Sequence, residues 1–453
     1  MTMSCRNLLA VAALPSLLIA VSGLAQAQTA STKAGEVTFT KDVAPILQRS
    51  CQGCHRPESI APMSLLTYED ARPWARSMKL KVSQRQMPPF FIDKNVGIHE
   101  FKNDDSLSDA EIATIVKWVD EGAPKGNPAD MPPPLTFEDK VPWHIGTPDL
   151  IVSLPKDEVV LAKAPDQWRD VVVDPHLTED RWIKGVEIKP LKGFRVVHHA
   201  ATSLIAPDNS GELVAGDGGV QGTFLNEYAV GKNGDLFPDG SARLIKAGTK
   251  INFNMHLHAV GQETPANVAV ALKFYPKGYK PTHVLVTENM GYVTDLDLPP
   301  NTDNIRTDRY RTLMKPTRVV SYQAHMHYRG KGMCLEAIYP GGGVYSDKVE
   351  TLSCINKYNF GYHIVYLYKD DVQPILPAGT VLHVISWHDN TTGNKANPDS
   401  DNWVGFGQRT VDDMSFAWVS YYELSNEEFK QALVERKEKQ KEKEDASAGG
   451  GGE

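Results

Sequence analysis

Cysteine is scarce in this chain, five in 453 residues, and one of them, Cys5, falls within the first 27. Four thiols are too few to staple a chain of this length, so a disulfide scaffold is excluded. Long apolar runs are missing too: beyond residue 27 nothing approaches the about 20 apolar residues that a membrane span needs. Positive charge is in deficit. With Arg6 set aside, 47 basic residues face 56 acidic ones, a balance of −9, which leaves no nucleic-acid footprint. No serine sits in a nucleophile-elbow context, which removes Ser-His-Asp hydrolysis. A strong helical period is absent from the middle of the chain up to Ser425.

What is present begins with an export signal. Arg6 supplies a basic start, Leu8 to Ala20 an apolar stretch interrupted by Pro15 and Ser16, and Ala25-Gln26-Ala27 the small residues of a cleavage site. Residues 1–27 are therefore expected to be removed. The mature protein is then expected in the periplasm or outside the cell, with no membrane span. In that oxidising setting Cys334 and Cys354, twenty residues apart, are expected to bridge neighbouring strands.

At roughly 100–200 residues per domain, two to four domains are expected. Val43, Ile46 and Leu47 share a helix face, Thr67 to Asp70 opens a second helix, and Ser108 with Glu111 forms a capping box for a third. A Pro- and Gly-rich linker is expected over 128–145, including Met131-Pro132-Pro133-Pro134. Beyond it, short β-branched and aromatic runs punctuated by Gly, Pro, Asn and Asp predict antiparallel sandwiches. The expected fold is a small all-α domain over 36–127 and two β-sandwich domains over 146–290 and 291–424. Over 425–453 a charged helix is expected, opened by a Ser425/Glu428 capping box, with a disordered glycine end; its charge run reads as a solvated face.

Cys51-Gln52-Gly53-Cys54-His55 is a C-x-x-C-H sequence. Such a motif joins two thioethers to haem vinyl groups on one tight turn and offers the histidine as axial ligand. Met87, in Met87-Pro88-Pro89 after a helix, is the preferred sixth ligand, with Met63 as its rival. The run from Phe39 to Asn127 resembles the small cytochrome c domains fused to bacterial enzymes. One covalent haem c is implied.

The β portion carries paired histidines: His198-His199, then Met255-His256-Leu257-His258, then His325-Met326-His327 before Gly330-Lys331, and finally Asp412-Asp413-Met414. In a strand alternate residues share a face, so His325 and His327 can chelate one ion. Adjacent His198 and His199 reach one metal only where their strand bends or ends. Imidazoles suit copper, and a thioether favours Cu(I). The isolated residues His144, His176, His283 and His363 read as ordinary core or surface histidines.

This order resembles the copper type II monooxygenases, the peptidylglycine alpha-hydroxylating and dopamine beta-monooxygenase family, over roughly Pro142 to Leu424. The resemblance implies two linked β-sandwiches with one copper each. It gives His198, His199 and His256 to an electron-transfer copper, with His258 as competitor for the third place. His325, His327 and Met414 go to a catalytic copper; Met333, although nearer in sequence, has no matching context. Where the peptide-processing members hold a substrate carboxylate, this chain has Gln323, Phe416 and Trp418, which points to an apolar or aromatic substrate. His388 stays unassigned. The implied activity is O₂-dependent hydroxylation of a C–H bond in a small molecule, with the haem passing electrons from a periplasmic donor to the coppers. The alternative is a non-catalytic electron-transfer cytochrome with a copper-storage or partner-binding β module.

Overall fold

The computed structural model describes residues 35–57, 59, 61–135, 143–207, 223–229, 232, 234–291, 294–341 and 348–449. The expected signal peptide, the centre of the linker (136–142) and the last four residues lie outside them. Among the described residues no helix is long and apolar enough to cross a membrane.

Two β-sandwiches make up most of the molecule. In the first, a seven-stranded sheet runs Leu150–Ser153, Thr264–Phe274, Arg181–Lys192, Ser241–Ile245 and His283–Val284, with two short strands attached. It faces a four-stranded sheet in the order Gln167–Val173, Lys250–Leu257, Val197–Ile205, Thr223–Ala229. Ile183, Val268 and Val270 of one sheet bury against Val197, Phe253 and Met255 of the other, the alternation expected of inner faces.

In the second sandwich, Val286–Met290, Ser415–Glu423, Thr317–Met326 and Tyr366–Leu367 form one sheet, with Ile375–Leu376 also on Thr317–Met326. The opposing sheet runs Ile305–Thr312, Val381–His388, Gly330–Ile338, Val349–Ile355. Cys334 and Cys354 stand directly opposite each other on its last two strands and are joined by a disulfide. The helix Asn426–Gly449 starts at the Ser425/Glu428 capping box and lays Phe429, Ala432 and Leu433 on the first core.

The all-α N-terminal domain is not formed. Helices occur where the caps and apolar spacing place them, but they are short: Ala44–Ser50, Tyr68–Ala71, Ala75–Ser83 and Asp109–Asp120. Between the third and fourth, the chain is extended and belongs to the second sandwich. Ile92 bridges to Ile355 and Phe101 to Tyr368. Asp93 and Ile98 donate backbone N–H groups to the carbonyls of Cys354 and Leu352, both at 2.8 Å. Phe90, Ile92 and Phe101 are buried in the second core beside Tyr366 and Tyr368. The physical reason is local. Phe90-Phe91-Ile92 and Phe101 offer no 3.6-residue stripe, so their apolar surface is buried on a sheet rather than within a helical bundle.

The docking of this segment is testable. Phe101→Ala removes a buried ring and should cost about 3–5 kcal/mol, measured as a shift in the denaturant midpoint. Proteolysis within residues 84–107 should accelerate in parallel.

Candidate metal centre

The two sandwiches meet through the four-stranded sheet of the first and the Thr317–Met326 sheet of the second. Phe224 stacks on Trp418 across the boundary, with ring centroids 4.3 Å apart. Gln323 donates its amide to Glu227, both side chains being buried. At one end of this boundary the histidine motifs converge.

His198, His199 and His256 offer ligand atoms that all lie within 4.8 Å of one another. A strand cannot normally aim two successive side chains at one point. Here the register against Lys250–Leu257 slips between Val197 and His199, which pair with Leu257 and His256. His198 is the extra residue of a β-bulge, and the bulge re-aims it toward the face that carries its neighbour. His256 sits across the ladder from Trp168 and stacks on it at 4.4 Å, with ring planes 6° apart. His258 lies one residue beyond that strand, more than half exposed, with its Nδ1 2.8 Å from Asp166. Asp166 also stands 3.0 Å from His256 Nε2. Asp166 thus partners both histidines, and Nδ1 of His256 is left buried without a hydrogen-bond partner.

His325 and His327 come from the second sandwich. His325 pairs with Phe416 in register and stacks on it at 4.5 Å. Met326 pairs with Ser415, so the next step of the ladder brings His327 to Met414, on the face that holds His325 and Phe416. The turn beyond that strand is held by Asp413, whose side chain is fully buried. Its Oδ1 accepts the backbone N–H groups of His327 (2.8 Å) and Met414 (2.9 Å), and its Oδ2 that of Arg329 (3.0 Å). Arg329 is itself buried, with guanidinium hydrogen bonds to Asn390, Val411 and Asp399.

His388 is behind this turn. Its Nε2 donates to the Met414 carbonyl at 3.1 Å. Met333 is packed in the second core with Tyr322 and Leu335. One residue that the motifs did not mark joins the cluster: His363. Its ring lies 5.1 Å from that of His325, 5.7 Å from His199 and 6.0 Å from His198. No pairing in the sequence distinguishes it from an ordinary core histidine.

Burial dominates the electrostatics. It pushes His198 down to about 4 and His363 to about 3, and it lowers His199, His256, His325 and His327, with repulsion among the rings adding to the effect at several of them. All six rings are therefore neutral near pH 7, the form that binds a metal. For Asp413, burial pulls upward, but the hydrogen bonds from His388 and from the His327 backbone N–H outweigh it and hold the carboxyl below its usual range.

His198, His256 and His258 border a cavity of about 1070 Å³, whose wall does not include His325, His327 or His363. His198, His256 and Asp166 form one part of its wall, Tyr328, Phe360 and Tyr362 another, and Met87 and Phe91 of the N-terminal segment a third. Cys51 and Cys54 are free thiols. His55 is half-buried, and its Nδ1 is 3.3 Å from the Met63 carbonyl. That contact leaves Nε2 for an axial bond and brings Met63 to the opposite edge of the ring.

Two kinds of group fit these donors. Copper fits the histidines because three of them already converge within 4.8 Å and because buried nitrogens are left unpaired on His325 and His363, a cost that coordination removes. Haem fits Cys51, Cys54 and His55 because both thiols are free and the Met63 contact engages only Nδ1 of the imidazole.

No protein-family model matches the chain, and no curated protein sequence matches it. Among solved structures, the major capsid protein P2 from bacteriophage PM2 aligns at 9% identity with a TM-score of 0.28, over 61% of this chain and 98% of that one. Allantoicase aligns at 11% identity with a TM-score of 0.16, over 49% and 77%. The VP2 subviral particle of infectious bursal disease virus gives 7% and 0.19, over 54% and 58%. Similarities at this level carry no functional argument.

Asp413→Ala should leave three buried backbone N–H groups without an acceptor and destabilise the protein by at least about 3 kcal/mol. Asp413→Asn, which keeps one acceptor oxygen, should cost less. Chemical denaturation of the two variants beside the parent protein reads the difference.

Proposed function

We propose that this protein is an exported copper- and haem-dependent monooxygenase acting on a C–H bond of a small organic molecule. The observation that carries the proposal is the meeting of two histidine sets, one from each sandwich, with His198 and His256 of the first set on the wall of a cavity that the Met87 segment also lines and with unpaired buried nitrogens in the second. A storage site has no need for a cavity of this size or for a second, different donor set.

Copper held by His198, His199 and His256 and by His325, His327 and Met414 supplies one-electron redox chemistry and O₂ activation. Cys51, Cys54 and His55, with Met87, would hold haem c, and the group would supply one-electron chemistry for electrons from an external periplasmic donor. The overall balance is R–H + O₂ + 2 e⁻ + 2 H⁺ giving R–OH + H₂O, so two electrons are required per turnover.

The chain's own residues set the rest. Trp168 and Phe416 fix the planes of His256 and His325 by stacking. Asp413 fixes the backbone that presents His327 and Met414. The chamber wall mixes the rings of Phe91, Tyr328, Phe360 and Tyr362 with the cations of Lys81, Arg85, Lys357 and Lys395, so it suits an aromatic molecule that also carries a polar or anionic group. Gln323 is engaged with Glu227, so it offers no grip for a substrate carboxylate. Phe416 and Trp418 are buried packing groups, and the aromatic preference rests on the chamber wall instead.

The test is metal and haem content on full-length protein matured in a host that attaches haem, then supplied with copper. One haem and two coppers per chain are expected, with one copper lost in His325→Ala and the other in His199→Ala. Donor-driven O₂ uptake should rise with the right aromatic substrate and fall at least tenfold in either variant. A haem protein that holds no copper would remove the monooxygenase reading.

A further inference from the structure

His363 occupies the loop between Val349–Ile355 and Tyr366–Leu367, and only 3% of its surface is exposed. Its Nε2 is buried without a hydrogen-bond partner. The ring is not a loose filler. Tyr358, five residues earlier, accepts the Met326 backbone N–H at 3.1 Å and donates its hydroxyl to the Met326 carbonyl at 2.6 Å. The loop is thereby fastened to the residue between His325 and His327. Gly330 makes room for this: a Cβ there would stand 2.8 Å from the Tyr358 ring and 2.6 Å from the Met326 side chain.

Two imidazoles that share one ion, each with a metal–nitrogen bond of about 2 Å, hold their ring centroids roughly 5 Å apart. The trio keeps to that spacing, at 4.9, 5.0 and 5.5 Å. His325 keeps it with His363, at 5.1 Å, and with His327, at 5.5 Å, while Phe360 packs against both His327 and His363; among the described residues only the trio already has three ligand atoms within 4.8 Å of one another. His199 lies almost parallel to His363, at 5.7 Å with 28° between the planes. The trio and the second pair are therefore neighbours, with His363 between them.

We propose that His363 is a metal ligand, the third imidazole of the His325–His327 site, and that this site and the His198–His199–His256 site form one continuous six-histidine cluster holding two metal ions. The proposal rests on the copper reading above and adds to it a ligand and the adjacency of the two sites. An unpaired nitrogen at this depth is otherwise a pure loss.

The experiment uses the full-length haem protein, so that haem absorbance counts chains. Copper is titrated as Cu(I) against a chromophoric chelator, then oxidised for EPR. The wild type should take up two coppers per chain and, as Cu(II), give a spin count well below two with a half-field signal from the interacting pair. His363→Gln should weaken the second copper at least tenfold and restore an isolated one-copper spectrum, with the trio's copper retained. Unchanged affinities and spectrum in His363→Gln would overturn the ligand assignment alone. Two magnetically isolated Cu(II) signals in the wild type, a measurement that needs no variant, would overturn the single cluster. A wild type that takes up no copper would overturn this proposal together with the functional reading beneath it.

Discussion

Asp413 is a carboxylate with no contact to solvent, and the second half of the histidine cluster hangs on it. A single buried anion accepts the N–H groups of His327, Arg329 and Met414, residues 84 to 86 apart from it in the first two cases and adjacent in the third. A charge at that depth is tolerated only when it is fully hydrogen-bonded and has cationic or polarisable neighbours. Arg329 and His388 supply them. The arrangement cannot relax by one residue without stranding an N–H group, so the ends of two neighbouring strands are held in one relation. That relation puts His327 level with Met414.

The first half of the centre is built by a different device. A β-bulge spends one residue of the ladder at His198, and stacking on Trp168 holds the plane of His256. Both devices place imidazoles on sheet faces that the other sandwich then covers. Covering them removes water, which keeps the rings neutral and leaves several nitrogens unpaired. The energetic penalty of that burial and the capacity to bind a metal have the same origin, a pattern common where polar groups are retained for function rather than stability.

Much of this was legible in the residues. The Ser108/Glu111 and Ser425/Glu428 boxes and the Thr67 cap form hydrogen bonds at the expected positions. The need for the His198-His199 strand to bend follows from the period of two, and the bulge supplies that bend. The failures are equally physical. Caps at both ends of 36–127 say nothing about the stretch between them, and Phe90 to Phe101 was assigned to a helical domain although it packs as extended chain on the second sandwich. Ile305–Thr312 carries Arg306, Asp308, Arg309 and Arg311. It is an edge strand guarded by charge, and no apolar alternation announces it. Tyr362 to Tyr368 looks like a strand by composition, yet only Tyr366–Leu367 forms a strand, with Tyr368 bridging to Phe101. The rest is the loop that delivers His363.

The sequence by itself determined the local chemistry: a C-x-x-C-H turn, two paired-histidine motifs, a methionine after two aspartates, and strands whose composition demands sandwiches. These are short-range properties, fixed by residue type and spacing. Tertiary structure alone decided that the two histidine sets would be neighbours, that His363 would stand between them, and that the N-terminal segment would wall the same cavity. Those outcomes depend on which faces of two separate sheets are apolar enough to meet, and on where a loop can be fastened once they have met. No window of sequence contains that information, because it resides in contacts between residues more than a hundred positions apart.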